Sequence, residues 1–264
     1  MRLVWLISMM FPMLSTSEEV AADDRWIVSR PVAGIELYSE FQPDLQAVET
    51  AIGSVRTELT EILGVLTSTS TIQVMLFRDQ QSYLAYLGNR VPQARQRRAI
   101  YYRNGDVHQV YAWNSRSLIT DVRHEMTHAV LHQHLAFLPL WLDEGLAENL
   151  EESREDREKS RRTVASRWKA KVGWKPSLTE LENLPSAESM TADHYRDSWA
   201  LVCFLLNDSD ESRKLLTSYL AEIHRGEAPG KFSRYAEAKS PGLLSGANSY
   251  FRKFSIRVAS DSSP

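Results

Sequence analysis

One cysteine, Cys203, occurs in 264 residues. No internal disulfide can form, so apolar burial, hydrogen bonds or a bound ion must hold the fold together. An excess of charge of one sign is also missing. Thirty-one basic side chains against 34 acidic ones leave a net charge of −3, and nothing in that balance points to nucleic acid or to an anionic membrane surface. Beyond the first residues no apolar run approaches the roughly 20 residues needed to span a bilayer. No internal repeat appears, which excludes a repeat architecture. The lone thiol lies between Trp199 and Leu206 in the string WALVCFLL, a buried-helix context in which it serves as packing.

What is present begins with a compartment signal. Met1 and Arg2 precede a mostly apolar stretch over residues 3–14, followed by small and polar residues from Ser15. This resembles a secretory signal peptide, and the stretch is too short to span a bilayer comfortably. Cleavage after Ser17 or after Ala22 fits the small residues there. No cysteine follows to carry a lipid, and a retained, uncleaved anchor is the alternative. The expected location is therefore periplasmic or extracellular.

The chemistry is concentrated at residues 124–128, which read His-Glu-Met-Thr-His. Leu118, Ile119, Val122, Met126, Ala129, Val130 and Leu131 recur at helical spacing, so the string is expected on a helix. His124 and His128 then share one face, about 6 Å apart along the axis, and two imidazoles can hold one metal. Glu125 stands beside them as a candidate general base, accepting a proton from a water whose pKa a zinc ion lowers to about 7.

Two residues compete for the third metal position. His134 falls where a metzincin, with His-Glu-x-x-His-x-x-Gly-x-x-His, places its last ligand, but Leu131 stands where that pattern has glycine. The glycine lets the chain leave the helix sharply, and leucine resists the left-handed backbone that this requires. If the helix continues through Leu131, His134 is about 15 Å of rise from His124 and cannot share its metal. His132 fails by the same argument, and both are expected to be exposed or capping histidines. Glu144, sixteen positions past His128, fares better. Pro139 ends any preceding helix, and residues 143–151 are expected to form a second one whose first turn presents Glu144. Glu148, one turn on, and Asp143 are candidates for hydrogen-bonding a metal-binding imidazole.

The pair of segments, His124-Glu125-x-x-His128 and WLDEGLAE at residues 141–148, resembles the gluzincin metallopeptidases and most nearly the peptidase-MA-like exported proteins of bacteria. The resemblance implies a zincin-like fold, Zn2+ on His124, His128 and Glu144, Glu125 as general base, and a peptide or protein substrate. The spacing between His128 and Glu144 is shorter than in the large aminopeptidases, so the connection must be tighter. A tyrosine or histidine from the C-terminal lobe commonly stabilises the oxyanion in that family, which nominates Tyr195, with His194 as the alternate. The family's strand before the metal helix pairs with substrate backbone, which nominates residues 108–113. A metal-binding protein of the same fold without turnover is the other reading. Glu125 argues against it, since a structural zinc site needs no base.

Strand and helix signals alternate up to the metal motif and helices follow, an α+β order. Strands are expected at 34–41, 71–77, 98–103 and 107–113, the last two joined by the turn pair Asn104-Gly105. Helices are expected at 43–63, from an Asp79 cap through 87, and after the motif at 176–184, 193–206 and 211–224, with a loop-rich region at 229–246 and a last amphipathic stretch. The tract 154–175 is dense in charge and reads as a solvated helix. The organisation follows: a leader over 1–22, an α/β lobe over 23–134 ending in the metal helix, and a helical lobe over 135–264 carrying the third ligand.

Overall fold

A computed structural model describes residues 23–64, 70–88, 91–157 and 159–253. The expected leader and its cleavage sites lie outside the described residues. The chain divides into two compact units, one within residues 1–53 and 69–129 and the other within 54–68 and 130–264. Among the described residues no helix is long and apolar enough to cross a membrane.

The first unit is built on a five-stranded mixed sheet in the order β1-β2-β3-β5-β4. Its strands are β1 (Val28–Val32), β2 (Ile35–Ser39), β3 (Thr71–Phe77), β4 (Ala99–Asn104) and β5 (Val107–Trp113). Helix α1 (Leu45–Leu63) leads from β2 towards β3, and α2 (Gln80–Leu87) follows β3. Asp79 caps α2 as expected, accepting the Ser82 N–H at 2.8 Å. β3 is buried along almost its whole length, as a central strand must be. On one face of the sheet Tyr38, Met75, Phe77, Ile100 and Tyr111 pack with Trp26, Tyr83 and Leu87. Phe77 meets Tyr83 and Trp26 edge-on, at 5.7 and 5.6 Å, and stacks on Tyr111 at 6.4 Å.

The hairpin of β4 and β5 turns at Gly105, whose φ of 60° needs no side chain to accommodate. One expectation fails here. β5 pairs with β3 in parallel on one side and with β4 antiparallel on the other, so both of its backbone edges are already laddered. Residues 108–113 therefore cannot take up an extended peptide. The free edge on that side of the sheet is β4. The Trp113 N–H donates to the Arg98 carbonyl at 3.3 Å, and by the antiparallel alternation Ala99, Tyr101 and Arg103 turn their main-chain groups away from β5.

The second unit is helical. After α3 (Leu118–His134), which begins in the first unit, come α4 (Leu140–Leu150), α5 (Arg154–Arg157), α6 (Arg161–Lys171), α7 (Leu178–Leu181), α8 (Ala192–Asn207), α9 (Asp210–His224), α10 (Phe232–Lys239) and α11 (Ala247–Lys253). α10 occupies a region expected to be loop. Phe232, Tyr235 and Ala236 are buried at helical spacing, with Phe232 packed against Trp141 at 5.4 Å and Tyr219 at 5.0 Å. The charged tract is two helices rather than one, because Ser160 starts a fresh cap on Thr163 N.

Candidate metal centre

The string His-Glu-Met-Thr-His lies in the middle turns of α3. The helix is fixed at its start by a two-pronged ion pair, Arg98 Nε and Nη2 reaching Asp121 Oδ2 and Oδ1 at 2.9 and 2.8 Å. Asp121 also lies in the first turn, where a carboxylate complements the helix dipole. Leu118, Val122, Met126 and Ala129 are buried, which sets the rotation of the helix about its axis. The rest of the turn is then determined. His124 and His128 bring their Nε2 atoms to 3.3 Å of each other with the rings at 72°. Two imidazoles at 2.0–2.1 Å from a tetrahedral zinc have nitrogens about 3.3 Å apart. The pair fits such an ion as it stands.

Glu125 is buried, and its Oε2 accepts the main-chain N–H of Tyr101 at 2.7 Å. The contact joins the helix to the outer edge of β4. The Tyr101 ring stacks on His128, centroids 6.4 Å apart and 23° from parallel, and on His108 at 5.8 Å and 13°. The Tyr101 hydroxyl and His108 Nδ1 are 2.8 Å apart, with His108 itself buried in β5. One tyrosine thus touches the candidate base through its backbone and a candidate ligand through its ring. No sequence motif singles out Tyr101 or His108 for this role. The available signal is the hairpin register, which puts them diagonally on one face across Asn104-Gly105.

The second unit holds the carboxylates. α4 starts at Leu140, three residues earlier than expected, with Pro139 at its N-cap and the Pro139 carbonyl accepting from Leu142 and Asp143. Glu144 is buried in this helix. The neighbouring Gly145 explains part of the motif on packing grounds. A Cβ there would lie 2.7 Å from both Ser198 O and Val202 Cγ2, so α4 and α8 approach as only glycine permits. Asn149 clasps the contact, its Nδ2 donating to Gly145 O at 2.7 Å and to Trp199 O at 2.9 Å.

The remaining candidates each have a definite partner. Asp143 Oδ2 is 2.9 Å from His132 Nε2. Glu148 and Glu151 are both held by Arg162, whose Nη2 is 3.0 Å from Glu151 Oε1. His194 is engaged at both ring nitrogens, Nδ1 accepting the Thr191 N–H at 3.1 Å in a capping box and Nε2 lying 3.2 Å from Glu180 Oε1. Tyr195 is half-buried in the first turn of α8.

No family model matches the chain, and no curated protein matches it. Among solved structures it is similar to an M1 zinc metallopeptidase from Deinococcus radiodurans, with 13% identity over 88% of this chain and 52% of that one and a TM-score of 0.46. A glutamate-to-alanine mutant of that enzyme gives 13% identity, 87% and 51% coverage and a TM-score of 0.43. The chain spans about half the length of these structures.

The expectation for the exposure of His132 and His134 is altered by the geometry. His132 and His134 are half-buried rather than exposed, His132 through its pairing with Asp143 and His134 with its carbonyl accepting from His224 Nδ1 at 3.0 Å. α3 also continues through Leu131, whose carbonyl accepts the Leu135 N–H at 2.8 Å. The sharp exit that a His134 ligand needs is therefore not made, and the helical rise from His124 to His134 stays at about 15 Å.

Proposed function

We propose that the chain is an exported zinc-dependent peptidase of gluzincin type, hydrolysing peptide bonds with Glu125 as general base and His124, His128 and Glu144 as the residues that hold the metal. The reading rests above all on the convergence of the two imidazole nitrogens to a zinc ligand's spacing, with a buried glutamate beside them on the same helix. Zinc would supply Lewis acidity to a water and to the scissile carbonyl.

The chain's own residues carry the protons. The Tyr101 N–H holds Glu125 Oε2, which orients the carboxylate so that Oε1 is the atom that takes a proton from the attacking water. The same carboxyl then delivers that proton to the nitrogen of the departing amine. Tyr195 is assigned to donate to the carbonyl oxygen as negative charge gathers on it, a contribution of about 3 kcal/mol for one such donor. His194 is less suited to that task, because its ring already serves the α8 cap and Glu180. The substrate is proposed to lie extended against the outer edge of β4, meeting the main-chain groups of Ala99 and Arg103 and the carbonyl of Tyr101, whose N–H stays with Glu125.

Metal content and casein cleavage measured on the same samples test the proposal. Wild type is expected to carry one zinc and to cleave, Glu144→Ala to lose the zinc, and Glu125→Gln to keep zinc while losing cleavage. A wild-type protein that takes up no zinc when it is supplied would sink the reading. Zinc bound in full without cleavage of any peptide would favour a binding protein of the same fold.

A further inference from the structure

The net charge of −3 conceals a segment of opposite character. Between Arg161 and Lys175 there are six cations, Arg161, Arg162, Arg167, Lys169, Lys171 and Lys175, and no carboxylate. Most of this segment is α6, which buries Thr163, Ser166 and Ala170 along one side. The other side is unusual in being apolar. Val164 is 42% exposed, Trp168 67% and Val172 83%, and their spacing of four residues lines them up along one stripe. Only two other large hydrophobic side chains among the described residues are comparably exposed, Ile27 and Phe137, so these three concentrate on one short helix and its C-cap residue, Val172.

Five of the six cations divide between two tasks, and the sixth, Arg167, is half-buried. Arg162 is turned to Glu148 and Glu151, and Lys169 Nζ lies 3.9 Å from Asp193. Arg161 and Lys171 are exposed on α6 and Lys175 is exposed just past its end, and Lys171 Nζ sits 5.0 Å from the centre of the Trp168 ring. An exposed tryptophan with valines before and after it, beside lysine and arginine, supplies the two kinds of contact a protein surface makes with a lipid interface, apolar anchors and basic stems. Apolar side chains enter the headgroup boundary while the long basic stems reach the phosphates.

We propose that this face of α6 docks on an anionic lipid bilayer, with Val164, Trp168 and Val172 entering the interface and Arg161, Lys171 and Lys175 meeting lipid phosphates. A second copy of the chain fits less well, since pairing the stripe with itself would bring six like charges together. Nucleic acid would satisfy the cations and the indole but leaves two exposed valines without a role. With one aromatic and two small aliphatic anchors the docking is reversible and depends on lipid charge.

The test uses the full chain with a single environment-sensitive fluorophore on Val172→Cys, the native Cys203 being buried. Vesicles of phosphatidylcholine alone are compared with vesicles containing phosphatidylglycerol. A blue-shifted emission with the anionic vesicles only, reversed by high salt, is the expected result. Because the label sits on the stripe, attachment of the chain through another segment does not produce the shift. In co-sedimentation Trp168→Ser should weaken the anionic-vesicle partition at least tenfold, and Lys171→Gln or Arg161→Gln about fivefold each. No shift with anionic vesicles overturns the proposal, as does an equal shift with neutral ones. It is likewise overturned if Trp168→Ser binds vesicles like wild type, if that variant instead abolishes a dimer in sedimentation, or if the label responds to duplex DNA and not to lipid.

Discussion

In the first unit the histidine pair is positioned by the pitch of one helix: four residues of separation and a buried apolar side are enough to bring two Nε2 atoms to 3.3 Å. In the second unit nothing so local fixes the carboxylates. Glu144 is placed by the seating of α4 on α8, through Gly145 and the Asn149 clasp, and Glu148 is tethered by Arg162 from another helix. A ligand pair held by covalent spacing withstands rearrangement of its surroundings. A ligand held by packing depends on every contact beneath it, so perturbations of the two units should separate in what they change.

The largest effect is expected where chemistry is removed and both frames are left alone. Glu125→Gln keeps the volume and can still accept the Tyr101 N–H through its amide oxygen, so neither unit should change. Turnover should fall by about 10²–10⁴, the range for loss of a general base, with zinc content unchanged. Loss of zinc in this variant would show that Glu125 holds the metal site together and does not merely take the proton.

Next in size is a change aimed at the packed half. Gly145→Val sets a branched side chain against Ser198 O and Val202, where even a Cβ is too close. Overpacking of this kind costs about 1–3 kcal/mol, read from the urea midpoint, and zinc affinity should fall with it because α4 carries Glu144, the proposed third ligand. Met126→Leu, a volume-conserving exchange under the histidine pair, should cost less than about 1.5 kcal/mol and leave zinc in place. Equal loss of zinc in both variants would erase the distinction between the units.

A finer cut separates the backbone of Tyr101 from its ring. Because its N–H faces away from β5, proline can stand at position 101 without breaking the ladder, and it removes only the donor to Glu125 beyond what alanine removes. Tyr101→Pro should therefore turn over about 10- to 150-fold more slowly than Tyr101→Ala, matching the roughly 1.5–3 kcal/mol of a hydrogen bond to a charged group. Identical rates would show that the contact at 2.7 Å does not orient the base.

The same division governs how much of the molecule is legible in its amino-acid sequence. The metal helix, β3, the Asp79 cap and the Asn104-Gly105 hairpin are legible because each is decided within a few residues. β1 is not: Pro31 interrupts its pattern, and the turn after it uses Ala33 at a φ of 49° beside Gly34 at 78°, where the usual signal is asparagine or aspartate before glycine. α10 is hidden because its eight residues lie between Gly230 and the Pro241-Gly242 pair, and only the aromatic contacts to Trp141 and Tyr219 declare it a helix. The edge strand is misassigned from sequence because strand order across a sheet is a long-range property. β5 precedes the metal helix along the chain, but β4 folds back outside it.

The smallest effect concerns His134, which the helix carries past the metal pair into a half-buried setting. Burial, and after it the charges of His224 and Arg56, hold its pKa below the ordinary 6.5. As the pH falls the unfolded chain therefore binds this proton before the folded one does. The contribution to stability is complete above about pH 6.5 and is lost as the pH drops from there through the lowered folded-state pKa. Replacing His134 with glutamine should flatten the decline of the urea midpoint between about pH 7.5 and 5, while zinc content at the upper end of that range stays at the wild-type level. A decline as steep as in wild type would mean that His134 is as easily protonated folded as unfolded. Loss of zinc at the upper end would instead restore His134 as a metal ligand, against the unbroken helix through Leu131.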